Sequence, residues 1–126
     1  MSEIVAFDPD EVREYYLKQD REKKVKFLLG VLDIRQYNYV RNLIRSGDIN
    51  WTLEAVRFGL KGWVGLKSKK GNDLIFDTEK TFINGIGECI VVTNKCLNYL
   101  KNYIDELGLQ ILKDNELSED DSKNLK

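Results

Sequence analysis

The apolar period of this chain changes abruptly at Asp33, and that change limits the fold more than any other feature. Upstream, Val25, Phe27, Leu29 and Val31 alternate with Lys24, Lys26, Leu28 and Gly30. A period of two belongs to a strand with one buried face. Downstream, Ile34, Tyr37, Val40 and Ile44 return at intervals of three and four, the period of a helix packed along one side. Adjoining segments of these two kinds predict helices laid on a small, mostly antiparallel sheet, the α+β class.

The remaining patterns extend this scheme. Asp33 is placed to cap the first helix, and Ser46-Gly47 to stop it. Ile49, Leu53, Val56 and Leu60 predict a second helix that Gly62 ends, the two forming an αα-hairpin. Residues 64–67 and 73–76 flank a Ser-Lys-Lys-Gly-Asn turn and can pair as a small hairpin. A strand over 88–92 rises from a loop containing Gly85 and Gly87. Thr93 or Asn94 then caps what reads as the longest helix, carrying Leu97, Leu100, Ile104, Leu107 and Ile111. Near the start, Asp8-Pro9-Asp10-Glu11 has helix-start chemistry, so 9–18 reads as a short helix, or equally as an extended arm running into the charged segment 18–24. Ser118 with Asp121 makes a weak capping box for a short terminal helix or tail. Residues 1–116 read as one domain and 117–126 as an acidic appendage.

At 126 residues the chain can bury roughly two-thirds of its unfolded surface. A formal net charge of −1 gives no global attraction to nucleic acid or to a membrane surface. Cys89 and Cys96 match neither a zinc pair nor a redox motif and read as reduced thiols. The first residues lack a basic region followed by an apolar core, and no apolar run approaches a membrane span. A cytoplasmic location is the expectation.

There is no histidine, which removes His-based general-base catalysis, Ser-His-Asp and Cys-His triads, and the commonest zinc ligand. Gly85-Ile86-Gly87 lies before a strand, whereas a dinucleotide loop follows one. Adjacent Asp105 and Glu106 point in different directions on a helix and form no acid/base pair. Glu119, Asp120 and Asp121 lack the spacing of a calcium loop. A helix-turn-helix over 33–60 would set Arg35, Arg41, Arg45, Arg57 and Lys61 toward phosphates, but Asp48 and Glu54 interrupt its second helix. The residues themselves therefore supply no catalytic or ligand-binding motif that stands above a small α+β domain.

The run Ala55-Val56-Arg57-Phe58-Gly59-Leu60-Lys61-Gly62-Trp63, followed by Gly71-Asn72 and Phe76, resembles a group of small proteins of tailed phages. Val92-Thr93-Asn94-Lys95-Cys96-Leu97, Leu117-Ser118-Glu119-Asp120 and Lys123-Asn124 extend the likeness over roughly the half of the chain from Leu53 onward, and 27–37 is similar but less distinctive. The chain departs from the pattern at Gly65 and Ser68, where more polar or acidic residues are expected. The resemblance is to tail assembly chaperones and related tail-gene products. It implies a non-enzymatic protein of the host cytoplasm, or of the virion, whose partner is a phage tail or other virion protein. A small inhibitor of a host or defence protein is the alternative. Trp63 is expected to clamp the end of the second helix onto the sheet. Candidate partner contacts are Trp63, the turn lysines Lys67, Lys69 and Lys70, the acids Glu119, Asp120 and Asp121, and an apolar helix face bordered by acids.

Overall fold

A computed structural model describes residue 4 and residues 6–116 of the chain. The expected terminal helix and the acids at 119–121 lie outside the described residues.

Asp8 does not start a helix. Its carbonyl accepts from Glu11 N (3.1 Å) and its carboxylate from Asp10 N (2.9 Å), which closes a single turn. The chain then runs as strand β1 (Val12–Tyr15), antiparallel to β2 (Lys26–Gly30), with Val12 opposite Gly30 and Tyr15 opposite Phe27. The extended alternative for this segment is the one observed, because pairing along β2 satisfies backbone groups that a two-turn helix would leave at its ends. Between the strands, the Asp20 carboxylate accepts from Lys24 N (3.0 Å) and Val25 N (2.8 Å). Strand β2 buries Phe27 and Leu29, as the alternation predicts.

Helix α1 (Ile34–Arg45) begins with a full capping box. The Asp33 carboxylate accepts from Gln36 N (2.8 Å), and the Gln36 side-chain carbonyl accepts from Asp33 N (3.1 Å). Helix α2 (Trp51–Gly59) passes into strand β3 (Leu60–Val64) without a loop. Gly62 therefore does not end the helix; it lies within the ladder opposite Leu28. Leu60 is taken by the pairing with Leu29, so α2 stops earlier than its apolar spacing suggests. Ile49, expected on the buried stripe, is exposed ahead of the helix, while Ala55, Val56 and Phe58 are buried.

A second sheet consists of β4 (Thr78–Ile83) and β5 (Gly87–Val92), antiparallel from Thr78 opposite Val92 to Ile83 opposite Gly87. The sheet region is thus two separate antiparallel sheets. Strand β5 matches the expected strand. Strand β4 has no counterpart in the sequence pattern, because every residue of it is exposed or only partly buried and no apolar alternation marks it.

The expected longest helix is two. Helix α3 (Asn94–Tyr99), capped by the Thr93 hydroxyl accepting from Cys96 N (3.3 Å), ends at Leu100. Helix α4 (Ile104–Asp114) follows after turns closed by Leu100 N to Leu97 O (3.0 Å) and Tyr103 N to Leu100 O (2.8 Å). Asn98, Tyr99, Asn102 and Tyr103 are weak helix formers, while Leu100 is fully buried from the turn itself. The apolar spacing thus survives the break.

Helices α2 and α4 pack on each other, with Thr52 against Gly108 and Gly59 against Ile111. A Cβ on Gly108 would stand 2.6 Å from Thr52 O, so the two backbones touch where that glycine sits. The Thr52 hydroxyl and Asp105 carboxylate are 2.7 Å apart across the same crossing. Phe27, Val40, Val56, Phe58, Leu60, Val91, Val92, Leu107 and Ile111 join both sheets and all but the outer helix faces into one core. Full burial of each large aliphatic contributes about 1.5–3 kcal/mol. Beyond α4, Asn115 is buried; its Oδ1 accepts from Leu32 N (2.7 Å), and its Nδ2 donates to Ile111 O (2.8 Å) and Gly30 O (3.3 Å). No helix among the described residues is long and apolar enough to cross a membrane.

Candidate protein-binding surface

Trp63 sits on β3, half-buried, and its indole N–H donates to Leu74 O (2.8 Å). Its ring meets Phe76 edge-on at 5.1 Å and Tyr99 at 6.4 Å. The ring therefore holds the 66–76 segment and α3 against the sheet. These partners lie on the 66–76 segment and α3 rather than at the end of α2, and they engage the ring within the fold. The expected hairpin over 64–67 and 73–76 is reduced to one bridge between Lys67 and Asp73, because Val64 belongs to β3. Ser68 N to Asn72 O (2.9 Å) and Gly71 N to Ser68 O (2.9 Å) close its tip, with Gly71 at φ 86°.

Lys67, Lys69 and Lys70 are exposed at this tip, and Lys67 lies 4.0 Å from Asp73. Such solvent-exposed pairs contribute little to stability, which leaves the lysines available for contact. Ile75 beside them is 81% exposed. The departure at Gly65 has a steric cause: its φ is 89°, and a Cβ there would stand 2.5 Å from Lys24 O. Of the sequence candidates, the three lysines share the 66–76 loop, which Trp63 holds from β3, and Glu119, Asp120 and Asp121 lie outside the described residues.

A groove that the sequence pattern did not indicate runs past the start of α1. One lobe, about 560 Å³, is apolar and is formed by Phe7, Val31, Ile34 and Tyr37, with Asn115 and Glu116 at its end. The second lobe, also about 560 Å³, is polar and is formed by Lys61, Lys80, Glu88, Cys89 and Gln36. Pro9, Val31, Leu32 and Asp33 line both, so the two lobes adjoin. Ile34, at the first position of α1, is 70% exposed. The β1–β2 ladder, the capping box and Asn115 fix the floor, since each ties down residues between Pro9 and Gln36 or the strands beside them.

The polar lobe has a distinct electrostatic character. The Lys61 stem folds over Gly30, where a Cβ would meet it at 2.5 Å, and its ammonium donates to Phe58 O (3.1 Å). Although the stem keeps an exposed side, burial of the amine lowers its pKa below the ordinary lysine value, with Asp33 pulling the other way. Burial also pushes the Cys89 thiol up, against the opposing pull of Arg57, so this thiol is a poor nucleophile. Arg35 donates to Ile86 O (3.4 Å) and ties α1 to the β4–β5 turn. Among the described residues no three His, Cys, Asp or Glu side chains converge as a metal site would require. The groove can hold an extended segment, taking apolar side chains at Ile34 and polar ones in the second lobe, where Lys80 lies 3.8 Å from Glu88.

A comparison with protein-family models, with curated proteins and with solved structures gave no match to this chain.

Proposed function

We propose that this protein binds other phage proteins during assembly of the virion tail, without catalysis. The observation that carries the binding reading is the two-lobed groove, whose apolar lobe leaves Ile34 open to solvent. Soluble proteins seldom leave a shaped apolar surface uncovered unless something docks there. The resemblance from Leu53 onward supports the choice of a tail protein as the partner. The exposed lysines and Ile75 of the 66–76 tip offer a second contact for the same partner.

Titration calorimetry with the purified tail-tube and tape-measure proteins of the same phage tests this reading. Binding to one of them is expected, and Ile34→Glu is expected to weaken it at least tenfold while leaving the urea midpoint unchanged. A glutamate at the first helical position suits the helix dipole, so loss of folding would not explain that loss. Absence of binding to every tail protein would overturn the reading. Peptide mass spectrometry of purified virions beside the infected-cell lysate then separates roles: near-stoichiometric presence in particles marks a structural component, and abundance confined to the lysate marks a chaperone or an inhibitor of the host.

A further inference from the structure

Strand β4 has an open edge, and its sequence suits pairing with itself. Strand β1, at one edge of the three-stranded sheet, is only four residues long and carries Arg13 and Glu14. Strand β4 runs for six residues with no bulge and no proline, and among the described residues no strand pairs with its outer side. Such an edge presents a row of free N–H and C=O groups.

The bond from Thr93 N to Asp77 O (3.3 Å) sets the phase of the β4–β5 ladder. In antiparallel pairing the bonded residues alternate, so those at 79, 81 and 83 turn their backbone groups to β5, and those of Thr78, Lys80 and Phe82 face outward. Phe82 is 75% exposed and Ile90, opposite Lys80, is 58% exposed on the same face.

We propose that a second copy of this chain pairs with β4 antiparallel about Thr81, making a four-stranded sheet across a two-fold axis. Charge fixes the register. A two-fold at Lys80 would oppose two ammonium groups, and one at Glu79 two carboxylates. A two-fold at Phe82 runs the ladder into the 83–86 turn, closed by Ile86 N to Ile83 O (3.0 Å). At Thr81, Lys80 faces Phe82 of the second copy, Glu79 faces Ile83 of the second copy, and the two threonines meet. The outward backbone groups of Lys80 and Phe82 then bond across the axis, and each Phe82 ring is covered by a lysine stem and charge. The interface is isologous, as a closed dimer requires. This pairing goes beyond the groove reading and stands whether or not the groove binds a tail protein.

Sedimentation equilibrium from low micromolar to near-millimolar concentration tests it. The wild-type mass is expected to double. Phe82→Lys opposes the introduced lysine to Lys80 of the second copy and is expected to give a monomer. Adding Lys80→Glu to that variant sets opposite charges face to face and is expected to restore the dimer. A wild type that stays monomeric throughout, alone or while pairing this edge with a strand of another protein, overturns the proposal, as does a folded double variant no more associated than the single one. Should either variant fail to fold by circular dichroism, hydrogen exchange on the wild type decides. Protection of the Lys80 and Phe82 amides that grows with concentration supports the pairing, and protection independent of concentration overturns it.

Discussion

Asn115 satisfies one backbone N–H and two backbone carbonyls from a single buried side chain. Asn115→Leu would leave Leu32 N–H and Gly30 C=O without their partner, so a loss of about 2–4 kcal/mol in urea unfolding is expected. Tyr15 carries a second long-range tie. Its hydroxyl and Glu106 Oε2 are 2.5 Å apart, and the same oxygen accepts from Lys18 N (2.9 Å). Burial, reinforced by that carboxylate, pushes the phenol up to about 12 from 10.0. The native state therefore holds this proton more tightly than the unfolded state does. Its contribution is complete below the ordinary tyrosine pKa and is lost as pH rises from 10.0 toward about 12. Absorbance titration should show one tyrosine ionising last, and Tyr15→Phe should remove that step and flatten the alkaline fall in stability. Asp20 has the opposite sign. The backbone N–H groups of Lys24 and Val25 lower its pKa, so its contribution is present above the ordinary carboxylate value and lost as pH falls through the lowered one. The urea midpoint of Asp20→Ala should accordingly fall less in acid than that of the wild type.

At the scale of elements, the α2–α4 crossing is set by Gly108 rather than by its leucines. Gly108→Ala gains about 1 kcal/mol in helix propensity but forces a methyl into the Thr52 backbone. A net destabilisation of about 1–3 kcal/mol is expected in urea unfolding, because the opposing atoms belong to a helix that cannot yield locally. Trp63→Ala should cost about 2–3 kcal/mol, below the 3–5 of a fully buried ring, since the side chain is only half-buried. Trp63→Phe should recover part of that loss, by keeping an aromatic ring for Phe76 while losing the bond to Leu74 O. These elements show what periodicity can transmit. The β2 alternation, the Asp33 cap and the Thr93 cap were legible because each is a local pattern whose buried side faces one way. Strand β4 was not, since pairing with β5 rather than burial makes it a strand. The break before Ile104 was hidden because Leu100 reaches the core from a turn.

At the scale of the whole molecule, both sheets and the helices meet in one hydrophobic cluster. Tryptophan fluorescence, from Trp51 on α2 and Trp63 on β3, and far-ultraviolet dichroism should therefore share a single urea midpoint. Two separated midpoints would show that part of the fold unfolds by itself. The groove escaped the sequence for the same global reason. Its walls come from 7–9, 31–37, 61, 80–90 and 115–116, segments with no common local pattern that only the closed fold brings together. The loop lysines were visible as a cluster, yet nothing local distinguished a free ring at Trp63 from one engaged by Leu74, Phe76 and Tyr99. The seating of α4 on α2 also bears on how the chain is made. Synthesis proceeds from the N-terminus, so α2 and the floor under Leu32 exist before α4 and Asn115 have been added. A ribosome-bound chain that ends at Tyr99 has neither the cover for Ala55 and Val56 nor the amide that closes Gly30 and Leu32. Its early segments are therefore expected to remain open to a protease until the last helix has been added, which digestion of stalled chains of increasing length checks.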